Sequence, residues 1–198
     1  MYLSCLKNRG NSNTSERIDL IKRILLIIGP ENIDCLLGDR EFVGAEWIKW
    51  LDEQNIPFLF RIRNNSLLEG LLPVDAFFRK LPPKKKVKNG KTILWGRAIY
   101  LSTRWSYNKD ELVTIISNRK FEKPFKLYRK RWEIETFFGC LKKRGFCFED
   151  THLIHIARIE KLICVLTIAF VWSHLVGEKK EEELLIRIKT HLKSHHWF

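Results

Sequence analysis

The chain is short of acid. Its 198 residues carry 23 Asp and Glu against 36 Lys and Arg, a formal charge of +13 and a pI near 9.7. A surplus of that size attracts polyanions, and nucleic acid is the commonest of them. Paired cysteine chemistry is missing too. Cys5, Cys35, Cys140, Cys147 and Cys164 include no C-x2-C pair and are odd in number. That argues against a zinc site or a disulfide framework and fits reduced thiols in a cytosolic compartment. The first residues lack the apolar core of a signal peptide, since polar residues arrive by Lys7. The most apolar run, Leu162 to Trp172, falls far short of the ~20 residues that cross a bilayer. It reads as a buried helix, and no membrane is expected among the partners.

Hydrophobic residues make up 45% of the chain, enough for a globular domain with a sizeable core. Met1 to Leu6 reads as a short strand. Thr14 or Ser15 caps a helix through about Ile28, with Ile18, Ile21, Leu25 and Ile28 on one face and Gly29-Pro30 ending it. Ile33 to Leu37 is a buried type of strand with Asp39 at its C-terminal end. Val43 to Gln54 reads as a helix carrying Trp47 and Trp50 into a core, and Ile56 to Ile62 as the next strand. This alternation predicts an α/β layered core over 1–62.

Residues 63–120 change character. Lys91 to Leu94, Arg97 to Ser102 and Leu112 to Ser117 are short β-type runs, punctuated by Pro82-Pro83, Asn89-Gly90 and Asn108-Lys109-Asp110. They predict a β-rich insertion. Lys84-Lys85-Lys86-Val87-Lys88, followed by Lys91, forms a basic hairpin suited to salt-dependent, sequence-blind attraction to DNA. A helix is predicted from Glu122 to about Arg144 within 121–150, with Pro124 in its first turn. The last region, 151–198, holds a largely buried helix from Ile154 to Val176 and a tail with His191, His195 and His196.

The chemistry concentrates in Tyr128-Arg129-Lys130-Arg131-Trp132-Glu133-Ile134-Glu135, completed by Lys142. On a helix advancing about 100° per residue, Arg131, Glu135 and Lys142 fall about 60°, 20° and 40° to one side of Tyr128. Leu127, Ile134, Phe137 and Leu141 then face a core. An acid flanked by two long cations and a phenol suits a site where the acid holds a metal and the cations hold phosphates. The bland alternative is an exposed cationic face in which Glu135 pairs with Arg131 and Asp39 caps the next helix.

The spacing Y-x2-R-x3-E-x6-K resembles the signature of the insertion-sequence-four family of DDE transposases. Leu36-Leu37-Gly38-Asp39-Arg40-Glu41-Phe42, with Trp47 and Ile56-Pro57-Phe58 beyond, resembles the segment bearing that family's second catalytic aspartate. Gly10-Asn11-Ser12-Asn13-Thr14 before Glu16-Arg17 is similar as well, and the likeness covers roughly residues 1 to 175. The resemblance implies a ribonuclease-H-like core interrupted by the β-rich insertion and followed by C-terminal helices. It implies cut-and-paste DNA transposition by two-metal phosphoryl transfer, with Mg2+ or Mn2+ on Asp39 and Glu135. Tyr128, Arg131, Lys142 and Trp132 become contacts to double-stranded DNA at transposon ends and target. Arg40 is a phosphate contact or a partner in a local salt bridge. Trp95 and Trp105 hold a flipped base or pack within the β insertion. The protein is expected to be a homodimer in a synaptic complex in the bacterial cytoplasm, associated with the nucleoid.

The family's site uses three acids. The first lies on a strand upstream of anything matched here, and neither Asp19, within a predicted helix, nor Asp34, before the Asp39 strand, replaces it. The expectation is an N-terminally truncated transposase with an incomplete core, inactive in isolation. The alternative is a catalytically dead DNA-binding remnant or an inhibitor of full-length transposase. An unrelated metal-dependent nuclease of the same fold is a third reading, and the β-rich insertion argues against it.

Overall fold

The computed structural model describes residues 12–68, 72–78, 88–106 and 111–184. The predicted Met1 to Leu6 strand, Lys84 to Val87 of the basic hairpin and the histidines of the tail lie outside them. The described residues fall into two compact units that part between Arg131 and Trp132.

The first unit is built on a five-stranded mixed sheet. Helix α1 (Thr14–Ile28) leads to strand β1 (Leu36–Gly38), helix α2 (Ala45–Glu53) and strand β2 (Phe58–Ile62). Two short strands, β3 (Leu67–Leu68) and β4 (Leu72–Pro73), pair with each other before helix α3 (Val74–Phe78). Strands β5 (Lys88–Leu94), β6 (Arg97–Trp105) and β7 (Leu112–Ser117) follow, then the short helix α4 (Pro124–Tyr128). In space the order is β1-β2-β7-β6-β5. Strands β1 and β2 run parallel through α2, with Leu37 beside Leu59, while the other pairs are antiparallel. The segment expected as a β-rich insertion thus extends the same sheet as the Asp39 strand.

Side-chain alternation splits the core into two layers. Phe58, Phe60 and Ile62 of β2 join Ile21 of α1 and Trp47, Ile48 and Leu51 of α2 on one face. Leu59 of β2 joins Val113 and Ile115 of β7 under Phe125 and Tyr128 on the other. Asn118 finishes the sheet by pairing with backbone. Its Nδ2 donates to the Ile56 carbonyl (2.9 Å), and its Oδ1 accepts from the Phe58 N–H (3.3 Å).

Several local expectations shift. Asn13, not Thr14 or Ser15, caps α1, through a capping box in which its Oδ1 accepts from the Glu16 N–H and Glu16 accepts from the Asn13 N–H. Asn89-Gly90 is not a turn but lies inside β5, opposite Ser102 and Leu101. The turn is Trp95-Gly96, a two-residue loop closed by the Leu94–Arg97 pair, with φ of 50° and 72°. Positive φ at both positions matches the twist of a tight hairpin. Arg97 ties this hairpin to the end of α2, on Asp52 (2.7 Å) and Glu53 (2.9 Å).

The second unit holds helix α5 (Trp132–Gly139), a π-helical turn Cys140–Arg144, a 3-10 turn Phe148–Thr151 and helix α6 (Ile156–Leu184). Phe137 of α5 meets Phe170 of α6 edge-on at 5.1 Å. The burial expected for the last helix is not observed. Val165, Ile168, Val171, Trp172 and Leu175 are all at least 50% exposed. Apolar residues occur around much of α6, and Phe137 meets only one side of it. Helix α6 also outruns the apolar stretch seen in the sequence. Its Ile156–Glu183 portion, 28 residues, meets the length and apolarity needed to cross a bilayer, a test that the core helix of a soluble protein also passes.

Candidate active site

Asp39 follows the last residue of β1, where the parallel strand hands the chain to a tight turn. Its Oδ1 accepts from the Arg40 N–H at 2.7 Å, and its carbonyl accepts from the Phe42 N–H at 2.8 Å. The carboxylate is half-buried, while Arg40 is exposed. Gly38 before it is buried, with no room for a side chain. A Cβ there would meet the Phe60 ring at 2.6 and 2.7 Å.

Tyr128 comes to this spot from the far end of the unit. It is buried (1% exposed) among Leu59, Val113, Ile115 and Phe125, and its hydroxyl donates to the Gly38 carbonyl at 3.2 Å. The Arg131 guanidinium hydrogen-bonds the same phenol and lies 5.9 Å from its ring centroid. Burial pushes the phenol pKa up to about 12, the Asp39 charge pushes the same way, and Arg131 and Arg61 oppose them. Within the first unit, therefore, the start of the signature reaches the aspartate turn: Arg131 lies beside Tyr128, and Tyr128 holds the peptide next to Asp39.

This corrects the expected polar stripe. Residues 124–144 form α4, a 3-10 turn Arg129–Arg131, α5 and the π-helical turn. Overwound and underwound turns break the constant angular step on which the stripe rested. Tyr128 is in the core rather than on an open face, and its hydroxyl donates to the backbone. Ile134, expected to face a core, is 51% exposed.

Glu135 is half-buried on α5 and belongs to the second unit, as do half-buried Trp132 and exposed Lys142. Lys142 lies 3.5 Å from Glu149 in an exposed ion pair. Trp105 faces the α1–α2 side of the sheet and packs against its core, the ordinary β packing that was the alternative for it. Trp95 stands at the hairpin tip, 41% exposed. Sequence reasoning missed Gly38, whose place directly before Asp39 was the available signal, and Arg61.

Divalent ions of the kind the resemblance implies need several oxygen ligands. Among the described residues no three His, Cys, Asp or Glu side chains gather for such an ion. Asp39 offers one carboxylate, with one oxygen already engaged. The donors brought together here do not by themselves make a metal centre.

A mixed α/β sheet with a polar turn and a half-buried acid at the end of a parallel strand defines a class of domain that works at strand ends. The model of one family, described as transposase DDE domain, matches residues 2–172, and the chain belongs to that family. The family implies a ribonuclease-H-like fold, a transposase or nuclease activity, DNA as partner and the use of divalent metal ions. Comparison with the curated proteins finds no match.

Proposed function

We propose that the protein acts in cut-and-paste DNA transposition of the insertion-sequence-four type, with Asp39 and Glu135 as two of the catalytic acids. The observation that supports this best is the Tyr128–Gly38 hydrogen bond. It joins the aspartate turn to Tyr128, the first residue of the signature, two positions that have no local reason to meet.

In this reading the reaction is phosphoryl transfer at element ends. Water cuts the strand, and the freed 3′-hydroxyl joins it to target DNA. The resemblance assigns two Mg2+ or Mn2+ ions to the complete acid set, where they would activate the attacking oxygen and stabilise the leaving one. The side chains have narrower tasks. The Arg40 N–H fixes one oxygen of Asp39 and so orients the other. Arg131 and Lys142 supply positive charge to DNA phosphates. Trp95, exposed on its rigid turn, offers a stacking face to a base. Tyr128 positions Asp39 instead of touching DNA.

A second reading is binding without cutting, as a catalytically dead remnant or as an inhibitor of a complete transposase. A homodimer on paired DNA ends and a place on the bacterial nucleoid complete the proposal.

The test is duplex binding by the chain over a range of salt concentrations. A charge of +13 predicts affinity that falls steeply as salt rises and depends little on sequence. No duplex binding, or affinity indifferent to salt, would contradict the reading.

A further inference from the structure

The stretch from Ser12 to Arg17 resembles the family in sequence, and the site described above gives it no task. The fold brings its last residue to the Asp39 turn. Arg17 stands in the first turn of α1, where the positive end of the helix dipole disfavours a cation. Its guanidinium is nonetheless fixed there. Nε donates to the Ser12 hydroxyl at 2.9 Å, and Nη2 donates to the Ser12 carbonyl at 2.5 Å. Ser12 directly precedes Asn13, the cap of α1, so the anchor is the chain's own entry into the helix. The central carbon of the fork then lies over the Phe42 ring, 4.9 Å from its centroid. A cation held so is attracted by the ring face. Burial lowers the Arg17 pKa, and the charges of Glu16 and Glu41 oppose that shift.

Phe42 closes the turn that carries Asp39. Its N–H donates to the Asp39 carbonyl at 2.8 Å. Its Cβ stands 3.3 Å from where a Cβ on Gly38 would be. The next residue, Val43, packs against the core that α1 and α2 share. The turn is therefore gripped at both ends. Tyr128 holds the Gly38 carbonyl from the side of α4, and Arg17 holds the Phe42 ring from the side of α1. Arg40 and Glu41, between the two grips, are exposed. The aim of the Asp39 carboxylate thus depends on how firmly Gly38 and Phe42 are held.

We propose that Arg17 is a positioning residue for Asp39. Anchored on Ser12, it clamps the Phe42 ring and so sets the far end of the turn on which the acid stands. The inference rests on the reading of Asp39 as a catalytic acid and deepens it. The Ser12–Arg17 stretch, the aspartate turn and Tyr128 become one support. Lysine cannot take the place of Arg17, because a point charge lacks the planar fork that bonds Ser12 twice and covers a ring.

The experiment is NMR on the full chain, reading amide exchange and chemical shifts at positions 40 and 42. Arg17→Lys is expected to speed exchange at both amides about tenfold, the factor that loss of one bond to a charged group gives to local opening. Amides of β6 and β7 should keep their wild-type rates. Phe42→Leu should act like Arg17→Lys, and the two changes together should go no further than either alone. Phe42→Tyr keeps the ring and should keep wild-type exchange. Unchanged exchange at positions 40 and 42 in Arg17→Lys overturns the proposal. So does faster exchange that spreads equally to β6 and β7, since that is a loss of general stability. Duplex DNA added to wild type checks the reading beneath it and should shift the Arg40 and Phe42 amides. Shifts on DNA with no effect of Arg17→Lys would sink this inference alone. An effect of Arg17→Lys with no shifts on DNA would leave the clamp standing and sink the catalytic reading of Asp39.

Discussion

The hydroxyl of Tyr128 donates to the carbonyl of Gly38 across 90 residues of sequence, at 3.2 Å and out of contact with water. The peptide it holds is the one that leads into Asp39. A residue that the spacing placed on an exposed stripe is therefore part of the scaffold beneath the acid. It follows that the signature tyrosine and the arginine after it act in series, Arg131 on the phenol and the phenol on the backbone.

Tyr128→Phe removes the donor and leaves the Gly38 carbonyl without that bond in an apolar setting. The expected loss is about 1–3 kcal/mol of stability, read by denaturant unfolding. A change too small to measure would mean that the hydrogen bond is dispensable. Arg131→Gln should cost less stability than Tyr128→Phe, since its contact with the phenol is made from the rim.

Gly38→Ala should destabilise by about 1–3 kcal/mol. The added carbon would stand 2.6 Å from the Phe60 ring. That ring is buried and stacks on Phe58 at 5.0 Å, so it has little room to yield. Thermal melting of the variant checks this, and an unchanged melting temperature would show that β1 and β2 shift apart easily.

Alkaline pH should unfold the first unit earlier than its carboxylates and lysines alone would suggest. Tyr128 is pushed up to about 12 by burial and Asp39 from an ordinary value of 10.0, and Cys35 to about 12 from 9.0, chiefly by burial. A raised pKa means that the folded state holds its proton more tightly than the unfolded state. The stability these groups contribute is complete below pH 9 and is lost as pH climbs through 9 to 12. Unfolding followed across that window should show the decline, and Tyr128→Phe should make it shallower. Slow alkylation of Cys35 at neutral pH is the companion result.

The protein should bind duplex DNA, and Glu135→Gln should leave that binding largely intact, because the cationic residues remain. Fluorescence anisotropy on both proteins checks this, and loss of binding in Glu135→Gln would contradict the assignment of Glu135 to the acid set.

Much of the first unit was legible because its signals are local. The Gly29 stop, the β1–α2–β2 alternation and the inward apolar period of α2 follow from short-range chemistry. The hairpin turn was misplaced because Asn-Gly is the commoner turn signal, whereas here the pairing of β5 with β6 holds Asn89-Gly90 in a strand and leaves Trp95-Gly96 to turn. The tethering role of Tyr128 was hidden for another reason. A constant angular step assumes one regular helix, and the 3-10 turn at Arg129–Arg131 breaks it. The exposed side of α6 was illegible because periodicity reports which residues are apolar, not whether anything covers them. The contact of Tyr128 with Gly38 was not legible either, since neither periodicity nor propensity links two residues 90 positions apart.

The central claim is that Asp39 and Glu135 serve one catalytic centre, and an experimental structure of the chain on duplex DNA with Mn2+ tests it most directly. The account predicts the two carboxylates within about 10 Å of each other and facing the same backbone phosphate, since ions bridged by such a pair sit only ~4 Å apart. Carboxylates farther apart than that on bound DNA would contradict it.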